Sequence, residues 1–180
     1  MELIEPSIQY KHSFIEAVKE FQADDDYTHR SKRYRDLSVP DLEKDFDSFV
    51  ATIRSHTKGK NLPEGFVPES EFWLIDDSEF IGRASVRHEL VGRLKLIGGH
   101  IGIDVRPSKR KKGYGNTMFK LALEKAKELG LKRVLVTCDE RNVASRKIIE
   151  KNGGVFERSV VNDEKGFEGF KALNYWIDLG

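Results

Sequence analysis

A chain of 180 residues is long enough for one well-cored domain and short of the length that two usually need. With 38% hydrophobic and 34% charged residues it reads as globular, and a formal net charge of +1 gives no bulk reason to bind a polyanion. Cys138 is the only cysteine, which excludes a disulfide within the chain; with no basic-then-apolar leader and no apolar run near the ~20 residues of a membrane span, a cytoplasmic protein is expected.

In chain order, residues 2–4 suit a short strand stopped by Pro6. Phe14, Ala17, Val18 and Phe21 recur at helical spacing and predict a helix over 10–21. A polar stretch from Gln22 to Pro40 is loop-like; within it Asp24, Asp25 and Asp26 could attract a cationic acceptor, although a solvated loop is the plainer reading. A second helix is expected over 40–56, with Leu42, Phe46, Phe49, Val50 and Ile53 as its apolar stripe. Two prolines and two glycines then mark a long connection. Residues 71–90 read as a hairpin around an acidic turn at Asp76–Ser78, and 99–105 as a strand ended by Pro107.

The strongest local signals come next. From Gly113 to Gly130 runs a helix with Met118, Leu121, Ala122, Ala126 and Leu129 on one face. The run Arg133–Cys138 lacks polar alternation, as a strand buried on both faces would. Asn142 is a good cap for a helix ending at Gly153–Gly154, and two strand candidates close the chain. Strand, helix, strand, helix and hairpin predict an α/β fold: a mixed β-sheet flanked by helices.

Between the 99–105 strand and its helix lies Arg106-Pro-Ser-Lys-Arg-Lys-Lys-Gly-Tyr-Gly115, with five cations in the seven residues 106–112. At such a junction unpaired main-chain N–H groups and the helix dipole favour an anion, and Gly113 and Gly115 let a ligand approach the backbone. The P-loop and dinucleotide-binding glycine patterns are both missing. A solvated charged surface or a nucleic-acid patch is the rival reading, but the aromatic interleaving of a nucleic-acid platform is missing beyond Tyr114.

Arg110-Lys-Lys-Gly-Tyr-Gly115 resembles the Arg/Gln-x-x-Gly-x-Gly/Ala signature of the GNAT superfamily of N-acetyltransferases. The following Arg133–Glu157 segment, with Asn142 opening a helix that ends at Glu150-Lys-Asn-Gly153, is similar to that superfamily's next segment, and the likeness extends over residues 65–178 to a group of small bacterial members whose acceptors are unassigned. The resemblance implies a single GNAT acetyltransferase domain over 1–180, residues 1–64 forming the acceptor side and 65–180 the cofactor-binding core, with splayed central strands holding the cofactor.

It further implies acetyl-coenzyme A as cosubstrate, no metal, and acetyl transfer to a primary amine of a small molecule or a protein by direct attack. The backbone of Ile103, Asp104 and Val105 would pair with the pantetheine arm, and Asn142 and Ser145 would meet it further on. Arg110, Lys111, Lys112, Gly113, Tyr114, Gly115 and Asn116 would hold the pyrophosphate. Many relatives carry a tyrosine that protonates the leaving thiolate; this chain has Ile149 there. His100, Glu89 and Asp104 are the candidate bases, and strand alternation puts His100 and Asp104 on one face. The alternatives are a non-catalytic coenzyme A- or acyl-coenzyme A-binding domain and, more weakly, a nucleic-acid-binding protein; no membrane partner is expected, and a homodimer stays open.

Overall fold

The computed structural model describes residues 1–25, 33–162 and 169–180; Asp26 and most of the turn between the last two strands lie outside them. Strand β1 (Glu2–Ile4) precedes helix α1 (Lys11–Ala23), then α2 (Val39–Lys44) and α3 (Phe46–His56). Strands β2 (Glu69–Asp76), β3 (Glu79–Arg87) and β4 (Ile101–Val105) lead to α4 (Tyr114–Glu128). Strand β5 (Arg133–Asp139), α5 (Val143–Lys151), β6 (Val155–Asn162) and β7 (Phe170–Asp178) complete the chain.

The helix expected over 40–56 is two helices. Asp45, with φ −142° and ψ 68°, leaves the helical region and caps α3 by accepting the N–H of Ser48 at 3.1 Å. Its side chain therefore opens a new helix instead of continuing the old one. The acidic turn joining β2 to β3 is as tight as its sequence suggests: Asp77 and Ser78 both have positive φ, 47° and 63°, the backbone of a two-residue hairpin loop.

The strands form two antiparallel sheets, ordered β1-β2-β3-β4 and β5-β7-β6. They touch through a bridge between Gly99 and Val136, beside which the His100 N–H donates to the Leu135 carbonyl at 2.7 Å. A Cβ on Gly99 would sit 2.4 Å from that carbonyl oxygen, so this approach needs glycine. Past the bridge no ladder pairing joins β4 to β5 among the described residues, and the two strands part.

Alternation divides the first sheet. Leu74, Ala84, Val86 and Ile101 face α4 and join Met118, Phe119, Val136 and Ile149 in one core. Trp73, Ile75 and Phe80 face the other way and pack with Phe14, Val18, Phe21, Tyr34 and Phe46 in a second, aromatic core. Phe14 stacks on Trp73 with centroids 4.6 Å apart. The first core fixes α4 and α5 against the parted strands; the second anchors residues of the first third of the chain on the opposite face.

Candidate active site

The turn after β4 carries the five cations. Three of them hold the turn in place. Arg106 donates to Glu20 through Nε and Nη2, each at 2.7 Å, and the Ser108 N–H reaches the same carboxylate at 3.0 Å. Burial alone would push the Glu20 carboxyl up, but these donors outweigh it and hold it below the ordinary carboxylate value. Lys109 pairs with Glu79, and Arg110 lies 2.7 Å from Asp24 while its Nε donates to the Val105 carbonyl at 3.3 Å. Lys111 and Lys112 are exposed.

That anchoring shapes the backbone. Lys111 (φ 60°) and Gly113 (φ 88°) both take left-handed conformations, turning successive N–H groups toward one side, and nothing lies within 4 Å of where a Gly113 Cβ would be. The N–H groups of Lys111, Lys112, Gly113, Tyr114 and Gly115 have no acceptor among the described residues, whereas that of Asn116 bonds to the Gly113 carbonyl in the first turn of α4. Five free donors at the start of a helix of 15 residues make an anion cradle. The Tyr114 hydroxyl donates to Asp76 at 2.8 Å, which raises its pKa and ties the cradle to the β2–β3 turn.

Beside the cradle, where Gly115 lies against Ile148, a narrow cleft of about 10 Å³ is lined by Ile101, Ile103, Phe119, Val136, Thr137, Ser145, Ile148 and Ile149. Asn142 caps α5 by accepting the Ser145 N–H at 2.9 Å, leaving the Ser145 side chain on the cleft wall. Asn116 and Asn152 join α4 to α5 at 3.1 Å. Ile149, 3% exposed, brings no polar atom to the cleft.

On the far side of the first sheet, Asp104 is buried on the face shared with Arg83, Ser85 and Arg87 of β3 and Glu69 and Glu71 of β2. Its carboxylate is 3.8 Å from Arg83. His100 is also buried, but its Nδ1 accepts the Leu135 N–H at 2.9 Å, fixing the ring to β5 in the Nε2–H tautomer. Burial pushes its pKa below the ordinary histidine value. Glu89 is exposed in the loop after β3. The structure thus puts Ile103 and Ser145 on one cleft with the cradle's Gly115 against its wall, sets Asp104 on the opposite face, and leaves Glu89 outside. Thr137, Tyr34, Arg83 and Glu71 border these sites without any sequence signal: each is a single residue in an ordinary strand or loop pattern.

The model of the GNAT acetyltransferase domain matches residues 11–155. The chain belongs to the GNAT acetyltransferases. It is an acetyltransferase with the mixed α and β architecture of that family, whose members use acetyl-coenzyme A. A GNAT-family acetyltransferase from Streptococcus pneumoniae is 14% identical, with 99% of each chain covered and a TM-score of 0.67. The microcin C7 self-immunity acetyltransferase, solved with acetyl-CoA and AMP, is 14% identical over 98% of this chain and 91% of its own, with a TM-score of 0.70. A spermidine N-acetyltransferase chimera from Vibrio cholerae and hSSAT is 15% identical over 99% of this chain and 96% of its own, with a TM-score of 0.64. No curated protein matches at a significant level. Among the described residues no helix of this GNAT protein is long and apolar enough to cross a membrane.

Proposed function

We propose that this GNAT protein moves an acetyl group from acetyl-coenzyme A to a primary amine by direct attack. The observation that carries this reading is the run of five N–H groups, Lys111 to Gly115, left open at the start of α4, with Gly115 against Ile148 of the cleft wall. Their number and the free space around Gly113 suit a pyrophosphate, and Lys111 and Lys112 add charge at the rim. Ile103, Val136, Ile148 and Ile149 give the cleft apolar walls for a pantetheine arm. Acetyl-coenzyme A supplies the thioester whose acetyl carbon is attacked.

The protein's own groups divide the remaining work. Asp104, on the face away from α4, receives the acceptor amine; the Arg83 guanidinium lies 3.8 Å from its carboxylate. His100 keeps β4 and β5 in register, because its Nδ1 is already occupied. Ser145 and Thr137 are the hydroxyl-bearing residues of the cleft, and they are the donors available where the sulfur departs. Residues before β2 supply the acceptor side, through α1 and the segment carrying Tyr34.

Saturating acetyl-coenzyme A raises the melting temperature, since a ligand of the native state stabilises it by mass action. Release of free thiol then follows on adding a suitable amine. A protein that shows neither a thermal shift nor a calorimetric heat with acetyl-coenzyme A is not described by this reading.

A further inference from the structure

Beside Trp73, the face of β2, β3 and β4 that turns away from α4 carries a buried polar cluster. Across the strands its groups fall into bands. Asp104 comes first, on β4, the strand that also lines the cleft; next come Arg83, Ser85 and Arg87 of β3; then Glu69 and Glu71 of β2. Tyr34 closes over them from the second core: its phenol is pushed well above its ordinary pKa, first by burial and then by Asp104. Arg33, 40% exposed, reaches Glu69 and Glu71 at 3.6 and 3.5 Å from the solvent side.

The bands are charge-compensated and poorly hydrogen-bonded. Arg83 stands 3.8 Å from both Glu69 and Asp104, too far for a hydrogen bond. Its Nε is 3.1 Å from Glu71 but out of line for one. The Tyr34 hydroxyl (1% exposed) and the Ser85 hydroxyl (0% exposed) have no hydrogen-bond partner among the described residues. A Cβ on Gly102 would come within 3.2 Å of the Ser85 oxygen, so glycine there spares that hydroxyl a tight contact from β4. Leaving such groups unpaired costs stability, which makes them functional candidates.

The unpaired capacity is mostly that of donors: two O–H groups and Nε and Nη1 of Arg83, against one acceptor, the Glu69 Oε2 that pairs with Arg87 at 3.2 Å. The donors call for acceptor oxygens, and they sit one strand further from the cleft than the carboxylate of Asp104. We propose that this face is the acceptor subsite and that it takes an α-amino acid, with its amino group toward Asp104 and its carboxylate toward Arg83, Ser85 and Tyr34. The inference rests on the acetyl-transfer reading above. A polyamine would set a second cation against the guanidinium band, and a plain alkylamine would leave both hydroxyls unpaired.

The test is thiol release from acetyl-coenzyme A with a panel of free amino acids, their amides, spermidine and an Nα-blocked lysine peptide. At least one free amino acid is expected to exceed its own amide, and spermidine and the lysine peptide, by tenfold or more in kcat/KM. Ser85→Ala and Tyr34→Phe should each raise the amino acid KM about tenfold. Both should leave coenzyme A affinity unchanged and the melting temperature equal or higher, because each removes an unpaired buried hydroxyl. A hydroxyl with a merely structural role would not separate these readouts. Amides, spermidine or the lysine peptide performing as well as the amino acids, or both variants keeping the parent KM, overturns the inference while acetyl transfer stands. Thiol release with no amine at all, despite a thermal shift with acetyl-coenzyme A, overturns the transfer reading and this inference together.

Discussion

The guanidinium of Arg110 lies 2.7 Å from the carboxylate of Asp24, at the end of α1. The first residue of the signature therefore reaches back to the acceptor-side segment, where the Asp24 carbonyl also accepts Arg35 at 2.7 Å. Arg110 is a strut for the cradle.

Asp24→Asn and Arg110→Ala should accordingly weaken coenzyme A by similar factors, about fivefold, as expected for a partly exposed ion pair worth about 1 kcal/mol. Calorimetric titration of the two variants and of the double variant checks this; the double variant should lose little more than either single one. A hundredfold loss for Arg110→Ala with no loss for Asp24→Asn would make Arg110 a direct phosphate ligand.

The two glycines of the signature should fail differently. Gly113→Ala forces a side chain onto φ 88° in open space, costing about 1–2 kcal/mol in strain and closing the cradle to phosphate. At Gly115 a Cβ meets the Ile148 side chain at 3.2 Å, so Gly115→Val should cost about 1–3 kcal/mol of stability by overpacking. Urea denaturation and coenzyme A titration separate the two: chiefly binding is lost at Gly113, chiefly stability at Gly115.

Ile149→Tyr, which restores the residue common in relatives, should not restore a proton donor. The site is 3% exposed, and the Ile149 side chain already fills the space that a Cβ on Gly154 would need, 2.4 Å away. A phenol there should cost about 1–3 kcal/mol. A variant as stable as the parent and faster in thiol release would mean that the cleft has room for the ring.

His100 and His88 both have pKa values lowered by burial, so the unfolded chain binds protons more readily than the folded one as pH drops. Stability from these groups is full above the unfolded value of about 6.5 and falls on acidification toward their lower folded values. Denaturation midpoints should therefore decline between about pH 7 and 5, and His100→Gln should flatten part of that slope. An unchanged slope would remove His100 from the β4–β5 junction as a titrating group.

Much of this protein was legible before any tertiary structure. Helical spacing around Met118 and Ala122, the Asp76–Ser78 turn, the Asn142 cap and the cradle sequence are short-range signals, set within a turn or two of chain. Even the break at Asp45 is local, a capping side chain inside an apolar stripe. Sequence alone left the basic run undivided among ligand, strut and solvent, because its partners are distant: Arg106 and Glu20 are 86 residues apart. Only the packing of α1 against the sheet decided that Glu20, Asp24 and Glu79 neutralise three of the five cations. The same holds for His100 and for the polar bands around Arg83. Strand alternation told which residues share a face, but whether that face meets water, a helix or a substrate depends on what the rest of the chain lays over it.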